Sequence, residues 1–275
     1  METNKTILIT GSNAGIGKLT AKYFADRGWK VAATMRSVGK AGDLADHPNI
    51  RIYTLDVTAT ESVREAVRSC LKDCGKIDVV VNNAGFGVYG PCELATEKQI
   101  DLQYDVNVKG VIRVMKAVLP HFREKQSGLF INISSVAGLI TYPLGSLYNS
   151  SKWALEGLTE GMSFELKPLN IRVKLVEPGS FGTNFQQVGL IWTENQEIRD
   201  YDAINHHIQS MRKNIQDKLA DPIAVAEKIW EAANDPSDRM RYLVGKDALS
   251  LVARRDEIGS DAFIEELGNK MLRGM

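Results

Sequence analysis

The sequence predicts an α/β domain built on a parallel sheet, and three observations lead there. Short apolar runs alternate with stretches of helical spacing along most of the 275 residues, the pattern of βαβ units. A glycine-rich turn, Gly11-Ser12-Asn13-Ala14-Gly15-Ile16-Gly17, separates the first apolar run from the first helical stretch. Polar and turn-forming residues then recur where later runs end, at Asn82-Asn83-Ala84-Gly85, Ser134-Ser135 and Pro178-Gly179. Those ends lie on the sheet edge at which open α/β domains bind ligands.

Lys5 to Thr10 reads KTILIT, a short apolar run suited to a buried strand. Residues 18–27 have helical character, with Leu19, Ala21, Tyr23, Phe24 and Ala25 on the buried side and Gly28 as the stop. Strand, glycine turn and helix together bring backbone N–H groups and a helix N-terminus to a pyrophosphate. Glycines let the main chain approach without a Cβ in the way. The spacing is G-x-x-x-G-x-G. Alone it is compatible with a simple tight turn; between a strand and a helix at the start of the chain it points to a dinucleotide. Further strands are expected near residues 30–35, 50–55, 77–81, 129–134, 171–177 and 241–244, with right-handed crossovers. Asp221-Pro222 reads as an N-cap followed by proline at the first helical position, opening a helix through Ala233. Before it, Phe181, Phe185, Leu190, Ile191 and Trp192 cluster ahead of a polar, helical stretch.

Composition narrows the function. Lys plus Arg and Asp plus Glu number 34 each, so the net charge is zero. That balance argues against a nucleic-acid-binding surface as the main business. No apolar stretch approaches the roughly 20 residues needed to cross a bilayer. The first strand starts within five residues of Met1, which leaves no room for a signal peptide, and a cytoplasmic protein is expected. Cys70, Cys74 and Cys92 suggest no disulfide framework. Cys70 and Cys74 stand i, i+4 without a nearby third ligand, and His206-His207 reads as surface, so no metal site is expected.

Tyr148 and Lys152 stand four apart in YNSSK and would project from one face of a helix. An ammonium beside a phenol favours the phenolate and lowers a pKa that is otherwise about 10. Such a pair supplies a proton donor or acceptor near neutrality. Taken alone the pair is common; the loops gathered around it give it weight.

In order along residues 5 to about 185, TGSNAGIG, Asp56-Val57, NNAG, Asn107, Ser135, YNSSK and the Pro178-Gly179 turn resemble the short-chain dehydrogenase/reductase family, in its single-domain branch. The stretches ATMR and SSVAGL resemble its 17-beta-hydroxysteroid and retinol dehydrogenase-like members. The resemblance implies a Rossmann-like, doubly wound, seven-stranded parallel sheet of order 3-2-1-4-5-6-7. It implies one domain over residues 1–275 with a variable substrate lid at about 181–219. The apolar residues of that segment would cover the substrate, pack the lid on the body, or both. Tyr148 would be the acid/base, with Lys152 depressing its pKa and holding the nicotinamide ribose. Ser135, thirteen before the tyrosine, would hold the substrate oxygen; its neighbour Ser134 does not fit that count. Asn107, in DVNVK, would interrupt its helix and position a water. Gly11, Ser12, Gly15, Ile16, Gly17, Asp56, Val57, Asn83, Ala84, Gly85, Pro178, Gly179 and Thr183 would surround the cofactor, together with Tyr148 and Lys152.

At the end of strand two, NAD-binding members place an acidic residue; here Met35 stands, followed by Arg36. A guanidinium suits a 2′-phosphate, so NADP is expected over NAD. Asn13 and Ala14 occupy positions where many NADP-preferring relatives have a second basic residue, and Ser12, Ser37 or Lys40 are candidates to assist. The expected substrate is a small ketone or secondary alcohol, lipophilic because residues after Phe86, around Tyr142 and Leu144, and in the lid are largely apolar or aromatic. Alternatives are a 3-oxoacyl thioester reductase, against which the length after Thr183 counts, and a non-catalytic NADP-binding regulator, against which the retained Tyr and Lys count. A nucleotide-sugar epimerase would need a larger C-terminal domain. A homodimer or homotetramer is implied, pairing helices near 98–120 and 148–166 through Trp153, Leu155, Leu158, Met162 and Leu166.

Overall fold

The computed structural model describes residues 5–183, 185, 189–215 and 219–273. Its centre is a seven-stranded sheet of β1 (Thr6–Ile9), β2 (Lys30–Met35), β3 (Ile50–Thr54), β4 (Val79–Asn82), β6 (Gly128–Ile133), β7 (Ile171–Pro178) and β9 (Arg241–Val244). The spatial order is β3-β2-β1-β4-β6-β7-β9 and every pairing is parallel. This is the expected single Rossmann-like domain with the expected strand order.

Side chains alternate across the pleat. Ile7 and Ile9 join the core on one face, against Phe24 of α1 (Gly15–Ala25) and Ile229 of α7 (Ile223–Asn234). Leu8 joins the core on the other, with Val67 of α2 (Thr60–Cys74), Val118 of α4 (Gly110–Lys125) and Leu155 of α5 (Ser146–Leu166). A parallel sheet covered on both faces needs strands apolar throughout, which is why they stand out in the sequence. The chain closes with α8 (Lys246–Ile258) and α9 (Ser260–Met271).

Several boundaries follow local chemistry. α1 starts at Gly15, earlier than expected, so the last two motif glycines enter its first turn. It ends at Ala25, and Gly28 then takes φ +82°. α7 opens one residue later than expected, with Pro222 at its N-cap, while the Asp221 carboxylate accepts from the Ile223 N–H at 2.9 Å. α3 (Glu97–Tyr104) begins with a capping box between Thr96 and Gln99.

One feature was not anticipated. β5 (Gly87–Tyr89) and β8 (Leu190–Trp192) form a separate parallel pair, Val88 opposite Ile191. The surface expected on α5 also divides: Leu155 and Leu166 are buried in the core, with Leu158 and Met162 packed against it. Packing on the sheet claims that face of the helix. Trp153 remains 41 % exposed and Phe164, which was not singled out, 79 %. The polar stretch after Trp192 contains α6 (Asp202–Ile215). Among the described residues, no helix is long and apolar enough to cross a membrane, and no group of three metal-ligating side chains occurs.

Candidate active site

The glycine turn is held from below. Gly11 and Gly15 adopt φ of +70° and +54°, a region costly for any residue with a Cβ. Asn83, leaving β4, donates its amide to Thr10 O at 2.8 Å and Gly11 O at 3.1 Å. A Cβ on Gly17 would overlap that amide and the Gly11 carbonyl. A Cβ on Gly15 would sit 3.6 Å from Thr183, so the turn, the NNAG loop and the segment after β7 converge. Ala14, at the N-cap of α1, contributes no side-chain cap, leaving the first helical N–H groups open to an anion. These residues therefore fit a dinucleotide pyrophosphate. Ile16 packs partly against the core.

Ser12 is tied into the turn. Its hydroxyl donates to Ile9 O at 3.0 Å and its N–H to Thr34 O at 2.9 Å, so the turn itself consumes it. Arg36, Ser37 and Lys40 are exposed just beyond β2. Asp56 accepts from the Thr58 N–H and hydroxyl at 2.9 and 2.8 Å, and Val57 is buried against Gly110. Gly179 donates to Val244 O at 2.8 Å.

Asn107 lies in a π-helical turn, Asp105–Lys109, between α3 and α4, so its helix is interrupted as expected. Its amide grips the Phe86 backbone, accepting from N at 3.1 Å and donating to O at 2.9 Å, and donates to Ser151 at 3.1 Å. Gln103 supports the same loop, accepting from Val88 N at 2.6 Å and donating to Phe86 O at 3.1 Å. A Cβ on Gly85 would lie 3.4 Å from Asn107 Oδ1 and 3.8 Å from Lys152 Nζ.

Tyr148 and Lys152 are buried on one face of α5, Nζ 5.8 Å from the phenol ring centroid. The Ser135 hydroxyl accepts from Ala137 N at 3.1 Å and favours the Tyr148 phenolate. Around Tyr148 stand Tyr89 at 5.4 Å and Phe185 at 5.8 Å between centroids, with Trp192 at 5.9 Å from Tyr89. Tyr142 and Leu190 complete the cluster. Leu144 turns the adjacent loop at φ +59°, a strained backbone for a leucine.

The electrostatics correct one expectation. Lys152 was expected to pull the Tyr148 pKa down; instead burial, then the neighbouring Tyr89, push it above the usual phenol value. The ammonium points at the Ile133 carbonyl, 2.8 Å away, and is itself lowered to about 8 by burial, with Glu156 opposing that shift. Glu156, one turn beyond Lys152, belongs to a buried network not foreseen from the sequence. Arg241 Nη2 meets Glu156 at 3.2 Å and Glu160 at 2.6 Å, and its Nε meets Glu177 at 3.3 Å. Burial and the Glu156 charge raise Glu177 to about 8.

A family model described as short chain dehydrogenase matches residues 5–191. The chain belongs to the short-chain dehydrogenase/reductase family. This family member is 39 % identical over 203 residues to a 3-ketodihydrosphingosine reductase of Bacteroides thetaiotaomicron, covering 72 % of this chain and 70 % of that one. It is 33 % identical over 268 residues to estradiol 17-beta-dehydrogenase 1 of Rattus norvegicus, covering 91 % and 76 %. The structure of ElxO with NADP bound superimposes with a TM-score of 0.73 at 30 % identity, covering 90 % and 99 %.

Proposed function

We propose that this short-chain dehydrogenase/reductase interconverts a lipophilic ketone and its secondary alcohol using a nicotinamide dinucleotide, with NADP(H) preferred. The observation that carries this reading is the meeting of Tyr148, Ser135 and Lys152 beside the Asn83–Gly85 loop that holds the glycine turn, at an aromatic cluster. The names of the rat and Bacteroides relatives, and the NADP held by ElxO, support it.

The dinucleotide supplies the hydride chemistry when bound; Gly11, Gly15, Ile16, Gly17, Asp56, Val57, Asn83, Ala84, Gly85, Pro178, Gly179 and Thr183 would hold it. Tyr148, kept neutral by burial, gives its phenolic proton to the carbonyl oxygen in reduction and takes it back in oxidation. The Ser135 hydroxyl donates to the same oxygen and stabilises charge as it develops there. Lys152 gives the resulting phenolate a countercharge on the same helix face and would hold the nicotinamide ribose. Asn107 fixes the Phe86 loop and, through its π turn, frees main-chain groups for a water. The segment 181–219, of which residues 184, 186–188 and 216–218 lie outside the described residues, acts as the lid, and α5 contributes to a homo-oligomer.

Fluorescence titration with NADPH and NADH tests the cofactor assignment. NADPH should bind about tenfold or more tightly than NADH, the worth of one good charge-assisted contact. Arg36→Leu should erase the difference. A wild-type preference for NADH would refute the role of Arg36, and failure to bind either would refute the dinucleotide site.

A further inference from the structure

Arg212, on α6, has no part in the chemistry above, yet its guanidinium carbon lies 4.4 Å from the centroid of the buried Tyr89 ring. Tyr89 is in turn 5.4 Å from Tyr148, so the cation stands one aromatic ring from the proposed acid/base. Its charge is felt across the cluster: it opposes the upward shifts of Tyr89, Tyr142 and Tyr148. The guanidinium sits over the Tyr89 ring and bears on the Tyr89 hydroxyl. Its planar fork carries five N–H donors, more than that one contact uses. Among the described residues no carboxylate pairs with Arg212. Asp247, the carboxylate that bears on Tyr142, accepts instead from the Ser180 N–H at 2.7 Å. Among the described residues, this half-buried cation beside Tyr89 has no carboxylate partner, and an incoming anion would supply one.

We propose that the substrate carries an anionic group, a carboxylate or a phosphate, about one ring's length from the reacting carbonyl, and that Arg212 receives it through paired N–H donors. The inference rests on Tyr148 as the reacting centre. It makes the substrate amphipathic: the body lies on Tyr89, Phe185 and Trp192 while the charged end reaches α6. An anion there also selects orientation, since a substrate bound the other way would bury its charge in the aromatic cluster.

Three probes share one skeleton. In 4-acetylbenzoate the ketone and a carboxylate stand at opposite ends of one ring; 4-acetylbenzamide is its neutral isostere, and 4-acetylphenyl phosphate offers the other anion. Wild-type kcat/KM should favour the better anion over the amide by about tenfold or more, as a charge-assisted bidentate contact provides. The anion preferred identifies the group. Arg212→Leu should bring the anions down to the level of the amide, so that the anion-to-amide ratio of kcat/KM collapses, while Arg212→Lys should keep part of the preference. Equal kcat/KM for anion and amide, or an equal fall for both in Arg212→Leu, would overturn the proposal in favour of simple packing of α6. Tryptophan fluorescence titration with the same probes separates this failure from failure of the redox reading. Anion binding that Arg212→Leu weakens, with no ketone turned over, would keep the anion site and remove the oxidoreductase reading. Binding indifferent to Arg212 would overturn the inference.

Discussion

Lys152→Met should abolish turnover yet stabilise the fold at neutral pH. Burial lowers the Lys152 pKa from its ordinary 10.5 to about 8. At about 1.4 kcal/mol per unit, the protonated side chain is roughly 3 kcal/mol worse off in the fold than in the unfolded chain. Methionine removes that penalty and fills similar space. It also forfeits the hydrogen bond to Ile133 O, worth about 1 kcal/mol. The variant should therefore be about 1–3 kcal/mol more stable around pH 6. The sign of the pH dependence follows from where the proton is lost: the folded chain releases it near pH 8 and the unfolded chain near 10.5. Between those values unfolding takes up a proton, so wild-type stability rises with pH through this group. The advantage of the methionine variant should be constant below pH 8 and fade above it. Urea denaturation of both proteins at about pH 6, 8 and 9.5 reads the difference, and groups common to both cancel in it. A variant less stable than wild type at pH 6, or a difference that does not change with pH, would refute the reasoning.

Three further substitutions probe the surroundings. Gly17→Ala should lower the melting temperature and remove NADPH binding, because its Cβ overlaps the Asn83 amide and the Gly11 carbonyl; unaltered binding by fluorescence titration would contradict the placement of the pyrophosphate. Arg241→Met strips the guanidinium from Glu156 and Glu177 and should cost about 2–4 kcal/mol near pH 8. That deficit should shrink toward pH 5, since the raised Glu177 pKa means its burial penalises the fold only as the carboxyl ionises. Glu177→Gln, in contrast, should be nearly neutral at pH 7, and chemical denaturation of both variants checks the pair.

The sheet was legible because its strands are buried on both faces and read as apolar runs, and because each ligand-facing loop begins where such a run stops. The resemblance implied that Asn107 interrupts its helix, and the structure answers with a π turn. What stayed hidden depends on contacts between distant segments. The pairing of β5 with β8 joins Gly87 to Leu190, neither of which carries a strand signal across three residues. Arg212 reads as one more charge on a polar helix until α6 sets it over Tyr89. The Glu156, Glu177 and Arg241 network draws on a helix and two strands, although Glu156 could have been noticed one turn beyond Lys152. Sequence spacing places Lys152 on the same helix face as Tyr148 but does not report the burial that pushes the Tyr148 pKa up.

Single-turnover oxidation of bound NADPH by 4-acetylbenzoate or another accepted ketone, in wild type and Tyr148→Phe, tests the central claim most directly. Loss of NADPH fluorescence should be about a hundredfold or more slower in the variant, the scale of a lost general acid, with NADPH affinity retained. Equal rates in the two proteins would contradict Tyr148 as the proton donor and with it the reading of this site.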